Sequence, residues 1–300
     1  MPLVALAMAC GSGVSGAGRS ASTDSLTGSS PPMKQYSFEL IDVPGSVRTI
    51  VWGINDVGVA VGVWTDTSGV SHGFIRNRQG IQTFDFSGSS STSFLDINDV
   101  GTAVGWFNDA NGAQHGFKLA TDMTSTAIDF PGASNTYVGG INNRGDMVGG
   151  YGPTIDEGIG FLLRDGRFTT LVDPPNAAPN TTSPLGINDV GAISGSFMDA
   201  AGAQHGFVLL RGTYTILDPL GDNFADFGLT KISDLGNAVG SNGAEGFIVN
   251  ARTGRFSTFS CPGGFAIRAR GINNRGQVTG GCRTGPSAPF VGFIATPVDE

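Results

Sequence analysis

The sequence predicts an all-β fold, a six-bladed β-propeller built from four-stranded antiparallel blades. One phrase, Gly-Ile-Asn-Asp-x-Gly followed by a short apolar stretch that ends in Gly, recurs with small variations along the 300 residues. Its anchor residues are Ile54, Ile97, Ile141, Ile187, Ile232 and Ile272. The gaps between successive anchors are 43, 44, 46, 45 and 40 residues. A period of about forty to forty-five residues is the size of one four-stranded propeller blade.

Each unit divides into four strand-like segments, A to D, separated by turn signals. In the first unit, strand A ends at Ile54 and an Asn-Asp-x-Gly turn follows, in which Gly58 supplies the positive φ. A glycine in strand B and a phenylalanine in strand C recur in all units. They are Gly62, Gly105, Gly149, Gly195, Gly240 and Gly280, and Phe74, Phe117, Phe161, Phe207, Phe247 and Phe293. We assign the isoleucines and phenylalanines to the core between blades, because one blade cannot cover its own sheet faces.

The two ends of the repeat region complement each other. The last unit has segments A, B and C, which end near Ile294, but no segment D. The missing pattern appears at the other end, at residues 36–42 and the Val-Pro-Gly-Ser that follows. We therefore expect the N-terminal strand to supply the outer strand of the last blade, which closes the ring and removes open edges between the first and last blades. An open solenoid would not need this complementarity.

The first 33 residues are predicted to lie outside the fold. Residues 1–10 hold a short apolar run that ends in Ala-Met-Ala-Cys, so they are assigned as a signal-like or lipoprotein-like segment with Cys10 as the lipid attachment site. Residues 11–33 are mostly Gly, Ser, Ala, Thr and Pro, which is typical of a disordered linker. The propeller then fills residues 34–300 as a single domain. We expect an exported protein, extracellular or in the cell envelope; the alternative is an unprocessed disordered start of a cytosolic protein.

Composition excludes two classes of partner. Lys and Arg total 17 against 25 Asp and Glu, a net charge of −8, which is a poor match for a nucleic-acid backbone. The apolar runs are too short for a transmembrane helix, so a lipid at Cys10 is the membrane attachment we consider. Glycine accounts for 48 residues without a triplet period, which suits a turn-rich β protein. A monomer is expected.

At the Ile-Asn-Asp-x-Gly turn and the His-x-Phe segment, the chain resembles the HAF-repeat family of extracellular repeat proteins. The resemblance covers residues 36–297. This chain has His-Gly-Phe where the family name implies His-Ala-Phe, and three units lack the histidine. The resemblance implies export and a repeat fold, and it implies no activity.

The three histidines occupy equivalent positions in units 1, 2 and 4, each six residues after an aspartate. The pairs are Asp66 and His72, Asp109 and His115, and Asp199 and His205. Three interpretations are open: the aspartate begins an Asx turn, it hydrogen-bonds the histidine to brace the B–C turn, or the histidines bind a metal. A metal is disfavoured because histidines on different blades are too far apart. A further aspartate ends most D segments, as at Asp42, Asp85, Asp129, Asp173 and Asp218, and we interpret these five as loop caps.

Strand A lines the channel of a propeller, and glycine precedes the anchor isoleucine in four units. Units 2 and 5 have Asp96 and Lys231 there, on blades that face each other across the ring. These two are the candidates for a channel-lining polar site, with ordinary sequence drift as the alternative. Cys261 and Cys282 fall in loops at one face of the ring, so a disulfide between them is predicted for an exported protein.

No catalytic motif rises above background. The one Gly-x-Ser-x-Gly match, residues 69–73, lies between two predicted strands, whereas a nucleophile elbow needs a strand-to-helix turn. We therefore expect a non-enzymatic binding or scaffold propeller for a glycan or protein ligand, without cofactor or metal. The alternative is a carbohydrate hydrolase or lyase with its site at the channel mouth, and a structural envelope protein is a third interpretation. An enzyme should break the repeat by clustering acids, bases or aromatics in neighbouring loops.

Overall fold

The computed structural model describes residues 35–154, 158–221 and 228–298, and in these ranges the ordered elements are all β-strands. In chain order the strands are β1 (Tyr36–Ile41), β2 (Arg48–Ile54), β3 (Ala60–Thr65), β4 (Ser71–Asn77), β5 (Gly80–Phe84), β6 (Ser91–Ile97), β7 (Ala103–Asn108), β8 (Gln114–Leu119), β9 (Ser125–Ile128), β10 (Asn135–Ile141), β11 (Met147–Gly152), β12 (Ile159–Arg164), β13 (Arg167–Thr170), β14 (Ser183–Ile187), β15 (Ile193–Met198), β16 (Gln204–Leu210), β17 (Thr213–Ile216), β18 (Lys231–Ile232), β19 (Asn237–Ser241), β20 (Gly246–Asn250), β21 (Phe256–Phe259), β22 (Ala266–Ile272), β23 (Val278–Arg283) and β24 (Val291–Pro297).

The predicted six-bladed propeller is confirmed. The strands form six antiparallel four-stranded sheets, and blades 1 to 5 take their strands consecutively from β2 to β21. Within each blade the strands alternate in direction, so the A–B and C–D turns share one face of the ring, here called the upper face. The B–C turns and D–A loops share the opposite, lower face.

Blade 6 closes the ring in the way that the complementary ends of the repeat region predict. Its sheet has the order β1-β24-β23-β22, so the N-terminal strand is its outer strand. The register runs from Tyr36 opposite Pro297 to Ile41 opposite Gly292. The first and last blades are thereby joined through β1, which pairs with β24 of blade 6 and continues along the chain into β2 of blade 1.

The recurring glycine and phenylalanine are cross-strand partners. In blade 1, Gly62 of β3 lies opposite Phe74 of β4, and the same pairing recurs in the other blades. All six strand C phenylalanines are fully buried. A Cβ on Gly62 would lie 2.1 Å from the carbonyl oxygen of Ile50 and 2.8 Å from the Phe74 ring, so the ring occupies the space that a side chain would need. Burying each ring contributes on the order of 2–3 kcal/mol before conformational entropy is counted.

The axis of the ring is as crowded as the strand A glycines predicted. A Cβ on Gly53 would lie 2.8 Å from the Cα of Asp96 on the next blade, and a Cβ on Gly140 would lie 2.9 Å from the Cα of Gly186. Neighbouring A strands therefore touch backbone to backbone. The anchor isoleucines are buried just above this contact.

The N-terminal expectations fall outside the described residues. The signal-like segment 1–10 with Cys10, the linker 11–33 and the start of the 34–300 domain precede residue 35, where the description begins. In the described part of the chain, none of the secondary structure is a helix of the length and apolar character that a membrane crossing requires.

Candidate functional site

The Asn-Asp-x-Gly turns join into a closed circle on the upper face, which we call the axial ring. It consists of Asp56, Asp99, Asn143, Asp189, Asp234 and Asn274. The backbone N–H of each member donates to the side-chain oxygen of the member on the next blade, over 2.6–2.8 Å. The last of these bonds, from Asn274 to Asp56, spans 218 residues and closes the circle.

The side-chain amides complete the axial ring. Asn143 donates to Asp99 and Asp189, and Asn274 donates to Asp56 and Asp234, each over 2.8–2.9 Å. Every carboxylate in the ring therefore accepts hydrogen bonds from its neighbours, which offsets the repulsion of four acids on one circle. The sequence alone predicts only a turn for this motif. Its recurrence in every unit was the signal that the acid also joins one blade to the next.

A second circle of amides lies directly below. The side-chain nitrogen of Asn55 donates to the backbone carbonyl of Asn98 on the next blade, and the same bond recurs around the ring except where Ser233 replaces asparagine. The side-chain oxygen of Asn55 meanwhile accepts from the backbone N–H of Val59 and holds its own turn. One residue thus fixes both the turn and the blade contact.

Asp96 and Lys231 meet across the axis, with Nζ of Lys231 3.3 Å from Oδ2 of Asp96. Both side chains are nearly buried. Lys231 also donates to the carbonyls of Gly139 and Leu185, and Asp96 accepts from the backbone N–H of Ile141 over 3.1 Å. Burial raises the pKa of Asp96 and lowers that of Lys231, and the attraction between the two opposes both shifts. The pair fills the channel instead of lining an open one.

The space between this ion pair and the axial ring is small. It is a cavity of about 70 Å³ walled by the anchor isoleucines and the ring residues. Ligand sites for small molecules usually occupy about 300–1,000 Å³, so this cavity has room only for a few water molecules. A sugar cannot enter the axis from the upper face.

Each of the three histidines lies between two aspartates on the lower face, an arrangement we call a His brace. In blade 4, Nδ1 of His205 is 2.8 Å from Asp218 and Nε2 is 3.4 Å from Asp199. The other two braces have the same geometry, with 2.9–3.0 Å on the Nδ1 side and 3.6–3.9 Å on the Nε2 side. Each imidazole stacks on an aromatic ring of strand B, as His72 does on Trp64 with 4.5 Å between centroids.

The His braces unite two interpretations that the sequence left open. Oδ1 of Asp66 accepts from the backbone N–H groups of Ser68 and Val70 and so forms the turn, while its Oδ2 faces His72 at 3.6 Å. The interpretation of the D-strand aspartates as loop caps was incomplete, because Asp85, Asp129 and Asp218 each hold a histidine Nδ1. Asp42 and Asp173 instead accept from the hydroxyls of Ser46 and Thr182.

In the His brace of blade 4, the pKa of the histidine is raised. Burial lowers the pKa of His205, but its hydrogen bonds to Asp218 and Asp199 outweigh that effect and leave the pKa raised. A backbone hydrogen bond from Ala203, together with His205, lowers the pKa of Asp199. Among the described residues, no group of three or more histidine, cysteine, aspartate or glutamate side chains has the arrangement of a metal site.

A disulfide joins Cys261 and Cys282, the pair suggested by the sequence. Their Cα atoms are 6.3 Å apart, and 21 residues separate them along the chain. Cys261 follows the outer strand of blade 5, and Cys282 belongs to the second strand of blade 6. The bond therefore ties two neighbouring blades together away from the axis.

A wide cleft lies between blades 3 and 4 and opens on the upper face; we call it the interblade groove. It has a volume of about 730 Å³. Its apolar lining includes Leu162, Leu171, Leu209 and Tyr214. Its charged lining consists of Arg144, Arg164, Arg211, Asp146 and Asp165.

Two tight hairpins form the groove's outer wall. Asp165 and Gly166 both have positive φ, as do Arg211 and Gly212, which is the signature of a type I′ turn. These turns project the C–D hairpins of blades 3 and 4 upward. Arg211 thereby stands at a hairpin tip, and it has no hydrogen bond or ion pair with any residue that the structure describes.

Asp146 fixes two of the arginines that line the groove. Its buried carboxylate accepts two hydrogen bonds from Arg164, over 3.0 and 2.9 Å, and two from Arg144, over 3.3 and 3.0 Å. Burial raises the pKa of Asp146, but the hydrogen bonds from Arg164, Asn142 and Arg144 outweigh it and hold the pKa below its usual value. Both guanidinium groups are thus fixed at one end while about half of each side chain stays exposed.

Asp146 and Arg164 were not identified as site residues in the sequence analysis, although their positions in the repeat set them apart. Asp146 lies four residues after the turn asparagine, where the other units have Val59, Thr102, Ala192, Asn237 and Gln277. Arg164 lies three residues after the strand C phenylalanine, where the others have Asn77, Ala120, Leu210, Asn250 and Thr296. Both are charged residues gained by one unit alone. Such gains, more than losses, mark where a repeat protein is specialised.

Comparison with solved structures shows the propeller fold. A triple arginine-to-alanine mutant of AofleA from Arthrobotrys oligospora aligns over 89% of this chain and 91% of its own, with a TM-score of 0.51 and 10% identity. A mutant of the Aleuria aurantia lectin in complex with Fucalpha1-6GlcNAc covers 86% of this chain and 98% of its own, with a TM-score of 0.48 and 8% identity. A putative oxidoreductase (glucose dehydrogenase) from Thermus thermophilus covers 87% and 100%, with a TM-score of 0.45 and 10% identity.

Identities this low show the fold alone, and one fold hosts many functions. No family model and no curated protein matches this sequence, so the likeness to HAF repeats stays a resemblance. The function has to be argued from the site.

Proposed function

We propose that this chain is an exported, non-enzymatic binding propeller that holds a glycan or protein ligand in the interblade groove. The observation that carries the proposal is the groove itself, a cleft of about 730 Å³ with an apolar lining, in which Asp146 and Arg164 have no charged counterpart in any other unit. This volume is within the range of small-molecule and cofactor sites. The proposal includes no metal and no cofactor, and export rests on the N-terminal sequence.

The closed axis favours binding over the alternative of a carbohydrate hydrolase or lyase at the channel mouth. Such an enzyme needs two carboxyl groups in different environments that flank the substrate bond. The carboxylates of the axial ring are occupied by neighbouring N–H groups, and Asp96 is paired with Lys231 below a cavity of about 70 Å³. The proposal therefore places the ligand at the groove and assigns the axis to stability.

The test is to incubate the full-length chain with a panel of soluble and insoluble polysaccharides and of peptides. Depletion of the protein and the appearance of new reducing or unsaturated ends are read in the same tubes. We expect depletion by at least one ligand and no new ends. New ends would overturn the non-enzymatic assignment.

A pair of variants locates the binding surface. Leu210→Trp places a large ring at the groove, since Leu210 lines it and is 39% exposed. Met198→Trp is the matched control, because Met198 is 37% exposed on the same blade but outside the groove. We expect the first variant to lose depletion and the second to retain it. Equal behaviour of the two variants would remove the groove from the proposal.

A further inference from the structure

We infer that the ligand of the interblade groove is a carboxylate-bearing saccharide, a short oligosaccharide that contains uronic acid units, bound through the guanidinium groups of Arg164 and Arg211. This inference rests on the proposed function and names the chemistry of its ligand.

Charge is the first argument. The whole chain has a net charge of −8, yet the groove is lined by three arginines and two aspartates, a balance of 3 − 2 = +1. A basic patch on an acidic protein attracts anionic ligands, while the rest of the surface repels them. An acidic saccharide is therefore directed to this cleft.

Preorganisation is the second argument. Asp146 receives Nε and Nη2 of Arg164, so the guanidinium plane is fixed while Nη1 has no partner among the described residues. Arg211, at the tip of the blade 4 hairpin, contributes a second guanidinium that has no partner among the described residues. A guanidinium presents paired N–H donors that match the two oxygens of a carboxylate, and a fixed fork loses less entropy on binding. The groove thus offers one rigid and one adaptable carboxylate clamp.

The floor is the third argument. Leu162, Leu171 and Leu209 present apolar surface beside the ring of Tyr214, whose hydroxyl donates to the carbonyl of Val172 over 2.6 Å. That bond fixes the ring and consumes its one donor. The C–H faces of a pyranose pack on such surfaces, because an aromatic ring offers large apolar area at little entropic cost. A free phosphate would use the arginines but leave this floor uncovered.

The compact shape of the groove favours a saccharide over an extended acidic peptide. About 730 Å³ accommodates a few sugar rings between two blades. A peptide bound by strand addition would instead lie along an outer blade edge and use backbone pairing, for which the arginines are not required. We therefore commit to the saccharide and make the peptide an outcome of the test.

The experiment uses calorimetric titration of the full-length chain with trigalacturonic acid and with its methyl ester, which has the same rings without the charge. We expect the acid to bind and the ester to bind at least about tenfold more weakly, since charge-assisted hydrogen bonds are worth roughly that factor or more. Triglutamate and inorganic phosphate are titrated as competitors. We expect neither to displace the acid at comparable concentration.

Three variants assign the contact. Arg211→Gln should weaken trigalacturonate binding by roughly tenfold, and the fold is unaffected because Arg211 bonds no other described residue. Arg164→Gln should weaken it further, with circular dichroism as a check on folding because Asp146 loses a partner. Arg78→Gln is the control, since Arg78 occupies the Arg211 position in blade 1 and lies outside the groove. It should bind like wild type.

The outcomes separate this inference from the function on which it rests. Groove-dependent binding of a neutral polysaccharide alone supports the binding function and overturns the acidic ligand. Displacement by triglutamate or phosphate as effective as by the saccharide itself overturns the saccharide class. Absence of trigalacturonate binding, or equal affinity of Arg211→Gln and Arg78→Gln, overturns the inference whatever the broader panel shows.

Discussion

The axis of the propeller and the interblade groove both gather charged residues on the upper face, but they use them in opposite ways. At the axis, Asp96 and Lys231 neutralise each other in a buried pair, and the axial ring pairs its carboxylates with neighbouring N–H groups. At the groove, Asp146 fixes two guanidinium groups that stay about half exposed, and Arg211 bonds no other described residue. Charges satisfied inside the fold stabilise it, whereas charges held in place but left accessible can recognise a ligand.

The largest effect should come from breaking the axial ion pair. Lys231→Met leaves the Asp96 carboxylate buried without a counter-charge, and this should lower the free energy of unfolding by about 3–5 kcal/mol. Chemical denaturation measures the loss. Adding Asp96→Asn should restore most of it, because no unpaired charge then remains. Arg211→Ala at the groove should change stability by less than about 0.5 kcal/mol. Similar losses for the Lys231 and Arg211 variants would erase the contrast between the two regions.

The disulfide should rank next. Replacing Cys261 and Cys282 by serine removes a cross-link that closes a loop of 21 residues. Restriction of the unfolded chain by a loop of that length is worth about 3 kcal/mol. The comparison of interest is between two blade junctions, since blades 5 and 6 are covalently tied and blades 3 and 4 are separated by the groove. Hydrogen exchange should show the loss centred on blades 5 and 6; a loss spread evenly around the ring would contradict a local tie.

A smaller effect is expected in the axial ring. Asp99→Ala removes the acceptor for the backbone N–H of Asp56 and for the amide of Asn143, and should cost about 1–2 kcal/mol. Val100→Ala in the same turn is the control, because Val100 is exposed and should cost little. Thermal and chemical unfolding of both variants give the comparison. If Asp99→Ala is as stable as Val100→Ala, the hydrogen bonds of the axial ring do not stabilise the fold.

The smallest effect should be the pH dependence of the third His brace. The pKa of His205 is raised above 6.5 in the folded state, so its contribution to stability is complete below pH 6.5 and is lost as the pH rises through the folded pKa. The pKa of Asp199 is lowered, so its contribution is present above pH 3.8 and is lost as the pH falls through its folded pKa. The stability advantage of wild type over His205→Gln should therefore be greater at pH 5.5 than at pH 8.5. Denaturation curves at the two pH values test this, and an advantage that grows with pH would contradict the sign.

The features that the sequence predicted correctly repeat in every unit. The spacing of the isoleucines gave the blade count, and the unmatched first and last segments gave the closure of β1 on β24. Burial of the strand C phenylalanines followed from one large apolar residue per unit. These inferences succeed because a periodic sequence has to bury the same faces many times over, so local patterning and global fold agree.

The features that the sequence did not predict depend on side-chain contacts between different strands and blades. Asp146 and Arg164 are 18 residues apart and become neighbours only through the pairing of β11 with β12, where Met147 lies opposite Leu163. The repeat predicts that Asp96 and Lys231 lie on facing blades, but whether they line an open channel or fill it depends on how closely the A strands approach.

The sequence by itself determined the architecture of this protein: the six blades, the joined ends and the core positions, because hydrophobic burial and turn chemistry are written locally in each repeat. Only the tertiary structure decided what the charged residues do. Asp56, Asp96 and Asp146 are all aspartates within a few residues of an A–B turn, yet one joins two blades, one is neutralised in a buried pair and one positions two arginines. The reason is physical: the behaviour of a carboxylate depends on its burial and its partners, and those are set by residues from other strands and other blades.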